Sequence, residues 1–296
     1  MSPADRPLVL LVNPHAGGGR AAKLLPRVEN ALDKRRVAFR VERTRDAQHA
    51  VEVALRGADL GELPVVISGD GLIGIVGGAL AGTEVPLGIV PGGRGNDLAR
   101  VLGIPLEPEG AVEVLAAGNT RRIDVGEADG RRFLGIASAG LDSECNRIAN
   151  RTRLVHGRFV YAYAALRALA GWKPARFTLR VGEESLRFTG YSVAAANSRA
   201  FGGGMLLAPN ASLDDGQFDI VMVGDAGKLR YLGNLPKVFR GTHVENEEVR
   251  IVRASRFELS ASRPFELYAD GEPLTELPAS LRVLPRALLV VAPATA

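Results

Sequence analysis

Three glycine-rich segments carry the residues best suited to holding phosphate. Asn13-Pro14-His15-Ala16-Gly17-Gly18-Gly19-Arg20 sets three consecutive glycines before a helix-forming run. Glycines let the main chain approach a ligand and turn its N–H groups inward, and a helix start adds partial positive charge. Gly17-x-Gly19-x-x-Ala22 also meets the loose dinucleotide pattern, with Glu42 as a ribose partner. No Gly-Lys-Ser/Thr ends the segment, so it is not a Walker loop. In Ser68-Gly69-Asp70-Gly71 two glycines bracket one carboxylate, and Asp70 suits a magnesium ion held directly or through water. Pro91-Gly92-Gly93-Arg94-Gly95-Asn96-Asp97 adds Arg94 for phosphate oxygens and Asp97 as a helix cap. Any one of these reads equally as a tight turn. Together they point to one polyphosphate site.

The elements that must position these loops alternate. Apolar runs at 8–13, 37–44, 64–67 and 86–90 read as strands, and 20–35, 47–56, 71–80, 97–102 and 109–116 as helices, which predicts a mostly parallel sheet. Loops at successive strand ends of such a sheet converge on one edge. Beyond Asp124 the strands crowd together: 133–137, 175–181, 186–196, 218–223, 249–252, 257–260 and 265–269, with helices at 158–170 and 228–239. We expect an α/β domain over 1–126 and a β-rich, sandwich-like domain over 127–296. In the helix at 158–170, Phe159, Tyr163, Leu166 and Leu169 form a stripe that reads as core-facing, with lipid contact as the alternative.

In the second part, Asp270 follows the last of these strands in a turn opened by Gly271. It is either an Asp-Gly hairpin turn or a carboxylate aimed at a substrate. Asp214-Asp215-Gly216 is either a solvated turn or an oxygen-rich site for a hard divalent ion. The four histidines show no metal-ligand spacing, and the single Cys145 excludes a disulfide framework and a multi-thiolate zinc site. A net charge of +4 fits an anionic substrate or membrane surface and is too small to argue for nucleic acid. No apolar stretch reaches the roughly 20 residues of a membrane-spanning helix.

These motifs, in this order, resemble the diacylglycerol-kinase-type catalytic domain family, which includes bacterial lipid kinases and sphingosine kinases. The match continues through Asn197, Gly202-Gly203-Gly204, Pro209-Asn210-Ala211, Asp214-Asp215-Gly216 and Asp270-Gly271-Glu272, covering essentially the whole chain. The resemblance implies a nucleotide-binding α/β domain and a β-sandwich-like domain, with ATP and lipid meeting in a cleft between them. It implies nucleotide contacts from Asn13, Gly17, Gly18, Gly19, Thr44, Ser68, Gly69, Asp70, Gly71, Gly92, Gly93, Arg94 and Asn96. It implies that Asp70, Asp97 and Asp124 form an acidic network serving the catalytic Mg²⁺, and that Asp270 is the general base. It also implies a separate structural magnesium on Asp215 and the carbonyls of Ser212 and Gln217. Four positions depart from the commonest family pattern: Ser68 for Gly, Leu72 for Thr, Gly74 for Asn and Arg94 for Thr or Ser. Ser68 and Leu72 resemble the sphingosine-kinase variant, whereas Arg94 exchanges a hydroxyl for a cation.

The expectation is a cytoplasmic, membrane-peripheral kinase that moves the γ-phosphate of ATP to the hydroxyl of a diacylglycerol-like or long-chain-base lipid. Oligomeric state stays open, a homodimer included. The alternatives are a non-catalytic nucleotide or lipid sensor of the same fold and a dinucleotide-dependent oxidoreductase.

Overall fold

The computed structural model describes residues 3–14, 18–152 and 159–294 and divides into two compact units, Met1–Val125 with Pro285–Ala296, and Gly126–Leu284. The closing segment 285–296, which the sequence reading assigns to the second part, therefore clusters with the first.

The first unit contains β1 (Leu8–Val12), α1 (Arg20–Lys34), β2 (Phe39–Arg43), α2 (Ala47–Asp59), β3 (Leu63–Ser68), α3 (Asp70–Leu80), β4 (Gly88–Pro91), α4 (Asp97–Val101) and α5 (Pro108–Ala117). The four strands form a parallel sheet in the order β2-β1-β3-β4. All residues of β1, β3 and β4 are buried, as expected of parallel strands covered on both faces, and this is why they read as unbroken apolar runs. In α1, Ala21, Leu25, Val28 and Leu32 recur at helical spacing and are buried. The order reverses between β1 and β3, so the loops after these strands flank the switch point where open α/β sheets bind ligands.

The remaining elements are β5 (Thr120–Ala128), β6 (Arg131–Phe133), β7 (Ile136–Gly140), α6 (Leu141–Arg151), α7 (Phe159–Gly171), β8 (Ala175–Val181), β9 (Glu184–Ala196), β10 (Phe218–Gly224), α8 (Lys228–Arg240), β11 (Val249–Ala254), β12 (Arg256–Ala261), β13 (Glu266–Ala269), β14 (Glu272–Glu276) and β15 (Ala279–Val291). The second unit is built on antiparallel pairings around Phe133, Phe177, Phe218 and Phe257. β5 and β15 each carry the chain from one unit into the other.

In α7 the expected apolar stripe is split. Leu169 is buried with Trp172 and Tyr191, whereas Tyr163 and Leu166 are exposed. The small Ala164 and Ala168 occupy the buried face with Leu169, so the close packing runs along alanines that the stripe did not include. The side chain of Phe159 and residue Arg158 lie outside the described residues.

Candidate active site

In the first unit, the loops after β3 and β4 meet backbone to backbone. A Cβ added to Gly93 would lie 2.4 Å from the Gly69 Cα, and one added to Gly69 would lie 3.1 Å from the Gly93 Cα. No side chain fits at Gly93 without parting the loops, and one at Gly69 would be tight. The Gly92 N–H donates to the Ser68 carbonyl at 2.8 Å, continuing the β3–β4 ladder into the loop. Asn96, left-handed at φ 55°, accepts the Gly93 N–H on Oδ1 at 2.8 Å. Arg20, the first residue of α1, donates to the Gly93 carbonyl at 3.0 Å, tying the first loop to the third. Asp70, the first residue of α3, accepts the Leu98 N–H on Oδ1 at 3.1 Å and so caps α4 from a neighbouring helix start.

The second and third glycine segments thus meet and the start of α1 is tied to the third, with several expected ligand groups serving as scaffold. Gly93 N–H and Asn96 Oδ1 are bonded to each other, so Gly93 does not present its amide to a phosphate here. The buried Ser68 acts through its carbonyl. The Thr44 N–H and hydroxyl both donate to Val12 O, at 2.9 and 3.3 Å, holding the chain beyond β2 against the end of β1. Gly18 and Gly19 take φ of 73° and 87°, a left-handed path that glycine adopts without strain, and Gly19 caps α1. Asn13 directly follows β1, Gly71 lies in the first turn of α3, and Arg94 is exposed. Gly17 lies outside the described residues.

The acidic residues differ in accessibility. Asp97 is 8% exposed and Asp124 is wholly buried, accepting the Arg286 N–H at 2.7 Å. Among the described residues no group of three or more His, Cys, Asp or Glu is arranged to hold a metal. Asp70, beside the glycine backbones, retains the hard-oxygen chemistry that suits magnesium bound largely by phosphate oxygens. Glu42, the ribose partner of the dinucleotide alternative, is ion-paired with Arg40 at 2.6 Å.

In the second unit, Asp270 and Gly271 form the two-residue turn between β13 and β14, both with positive φ, at 53° and 88°. The hairpin reading is therefore correct. The carboxylate has a second engagement, because Oδ2 accepts the Leu134 N–H at 2.9 Å and Oδ1 accepts those of Gly135 and Ile136 at 3.0 and 3.3 Å. The sequence reading ran a single strand through 133–137. The structure breaks it between β6 and β7, and the freed amides converge on Asp270. Asn197 supports this bend from behind, donating from Nδ2 to the Leu134 carbonyl at 2.8 Å. A Cβ on Gly135 would lie 2.4 Å from Asp270 Oδ1. Gly135→Ala should therefore displace the carboxylate by about 1 Å and lower kcat on the order of 100-fold, with ATP KM unchanged. Steady-state kinetics on the purified variant checks this, and unchanged kcat would sever Gly135 from Asp270 function.

Of the residues expected to hold a structural magnesium, Asp215 has both carboxylate oxygens engaged within the protein. Asp215 Oδ1 accepts the Gln217 N–H at 3.1 Å, and Oδ2 is paired with Arg253. The Ser212 hydroxyl donates to Asp214 at 2.6 Å. A guanidinium occupies the carboxylate that the ion would need.

Cys145 is without catalytic character, since burial, reinforced by Asp142 and Glu144, pushes its thiol far up. His243 is buried, with Nε2 3.1 Å from the Leu207 carbonyl and its pKa lowered by burial. His15 and His156 lie outside the described residues.

The family model for the diacylglycerol kinase catalytic domain matches residues 7–128, and that for the YegS C-terminal NAD kinase beta sandwich-like domain matches 135–292. A diacylglycerol kinase of Mycobacterium tuberculosis is 36% identical over 295 residues, covering 96% of this chain and 94% of its own length. The chain belongs to the diacylglycerol kinase family. It is a lipid kinase. Another diacylglycerol kinase, from Bacillus subtilis, is 31% identical over 257 residues, covering 84% of this chain and 82% of its own. A crystal structure of a diacylglycerol kinase from Bacillus anthracis shares the fold with a TM-score of 0.74 at 22% identity, covering 98% of this chain and 97% of that one. Family membership sets the oxidoreductase alternative aside. The amides of 134–136, the kinase's main support for Asp270, were not among the residues singled out from sequence; only the lone Gly135 inside an apolar run signals them.

Proposed function

We propose that this diacylglycerol-kinase-family member transfers the γ-phosphate of ATP to the hydroxyl of a diacylglycerol-like or long-chain-base lipid. The nucleotide is the guest of the first unit and the lipid of the second. The observation that carries the reading is the Gly69–Gly93 contact at the carboxyl edge of the parallel sheet, with Asp70 anchored beside it. Close main-chain approach at the carboxyl edge of a parallel sheet, followed at once by helix starts, is a setting that favours a polyphosphate chain.

Asp70 would hold magnesium together with phosphate oxygens, and the ion would neutralise part of the charge that develops during transfer. The protein's own work is positioning. The amides of Gly18 and Gly19 and the Arg94 guanidinium would meet the phosphates, while Asp70 and Asn96 keep the second and third loops in register. Asp270 is the proton acceptor: the lipid oxygen bonds to the γ-phosphorus, the bond to the bridging oxygen of ADP breaks, and the hydroxyl proton passes to the carboxylate. Three amides fix that carboxylate, so it need not reorganise as the proton arrives.

Among the described residues no helix is long and apolar enough to cross a membrane. We place the enzyme at the bilayer surface from the cytoplasmic side, since its acceptor resides there. Arg94, as an exposed cation, contributes a screened attraction: Arg94→Ala should raise ATP KM about two- to fivefold with kcat retained, the effect shrinking at high salt. An unchanged KM at low ionic strength would remove Arg94 from nucleotide binding.

The deciding experiment is transfer from γ-labelled ATP to a panel of lipid alcohols in mixed micelles. A labelled phospholipid is expected with a diacylglycerol or a long-chain base. ATP binding without transfer to any lipid would favour the sensor, and the proposal would fall.

A further inference from the structure

Arg253 stands on β11 directly opposite Asp219 on β10 in the antiparallel register. Its Nε donates to Asp219 Oδ1 at 3.0 Å, and its Nη2 engages Asp215 Oδ2. One planar guanidinium therefore bridges two carboxylates, one on the strand and one in the turn before it, a task suited to its fork of donors. Asp219 is only 4% exposed. Two further hydrogen bonds lie within the turn. Gln217 N–H closes onto Asp215 Oδ1, and the Ser212 hydroxyl onto Asp214 Oδ1.

A divalent ion on Asp215 and the carbonyls of Ser212 and Gln217 would have to displace the guanidinium from Oδ2 and then share the turn with it. Removing Arg253 from Asp219 to make room would leave a buried carboxylate without its partner cation. We infer that Arg253 is the resident cation of this turn, so that the chain carries no structural magnesium at Asp215 and its magnesium requirement lies with the nucleotide alone. Arg253 is a positioning residue in this arrangement, since it ties residues 212–217 to the β10–β11 pair.

The test uses the nucleotide-free full chain, so its outcome does not depend on which alcohol is phosphorylated. Thermal unfolding is followed in EDTA and in excess magnesium, and Mn²⁺ binding is counted by electron paramagnetic resonance. A folded-state site saturated about a hundredfold above its Kd would raise Tm by roughly 5–10 °C. The wild type should show no such shift and no stoichiometric Mn²⁺. Arg253→Met should lower Tm by roughly 4–8 °C, and Arg253→Lys, which keeps the charge and loses the fork, by less. One Mn²⁺ per wild-type chain that disappears in Asp215→Asn would overturn the inference, as would an Arg253→Met protein melting with the wild type. Should Arg253→Met not fold, the wild-type measurements decide alone.

Discussion

Asp270→Asn should cut phosphoryl transfer by about 10²–10⁴-fold while ATP affinity stays within about twofold of wild type. The carboxylate offers two oxygens to three main-chain amides, from Leu134, Gly135 and Ile136. Asparagine keeps one oxygen and turns an NH₂ toward an amide donor, so proton acceptance and local hydrogen bonding fail together. The second failure costs about 1–3 kcal/mol, enough to register in thermal unfolding without abolishing the fold. Calorimetric ATP titration and labelled-ATP turnover separate the two effects. Turnover within tenfold of wild type would take Asp270 out of the proton pathway.

The second large effect is expected at Gly93. An alanine methyl there meets the Gly69 Cα at 2.4 Å, the Asn96 Oδ1 at 3.0 Å and the Gly69 nitrogen at 3.2 Å. Two of those atoms belong to the main chain of a loop that caps α4 through Asp70, so they cannot rotate aside. Relief requires parting the loops, at about 1–3 kcal/mol of overpacking strain. The same displacement shifts the chain at Gly69 and, with it, Asp70, and a misplacement of about 1 Å lowers kcat/KM for ATP on the order of 100-fold. Arg94→Ala, one residue on, serves as the control because it leaves the backbone contact intact. Comparable losses in the two variants would show that charge, not close approach, governs this loop.

The loops that carry these predictions were legible because their chemistry is local. Glycines at Gly69, Gly92 and Gly93 after buried apolar strands announce backbone that must come close to something. β1 and β3 announce themselves as unbroken apolar runs, because parallel strands bury both faces. What was illegible is what distant segments do to each other. Nothing near Asp270 predicts that amides 135 positions away in sequence converge on it. Asp70 as the cap of α4, and Gly93 N–H spent on Asn96, are likewise products of packing. β5 was missed because Arg121 and Arg122 precede a buried Asp124, so charge masks a strand whose later residues are buried. In α6 the signal was present and overlooked: Leu141, Cys145, Ile148 and Ala149 repeat at helical spacing among polar neighbours. β15 contains Pro285 and the left-handed Arg286, which read as a break although the strand continues to Val291.

That last strand bears on how the first unit is completed during synthesis. Val291 N–H donates to the Leu87 carbonyl at 2.9 Å, Leu87 N–H donates to Leu289 at 2.9 Å, and Gly82 N–H reaches Ala287 at 2.7 Å. Most of the first unit is synthesised before the second, yet its border at Gly82 and Leu87 lacks these bonds until residues 287–291 emerge. A nascent chain therefore carries an open flank through the translation of everything between, and a fragment ending at Val125 would keep that flank permanently exposed to sticking and proteolysis.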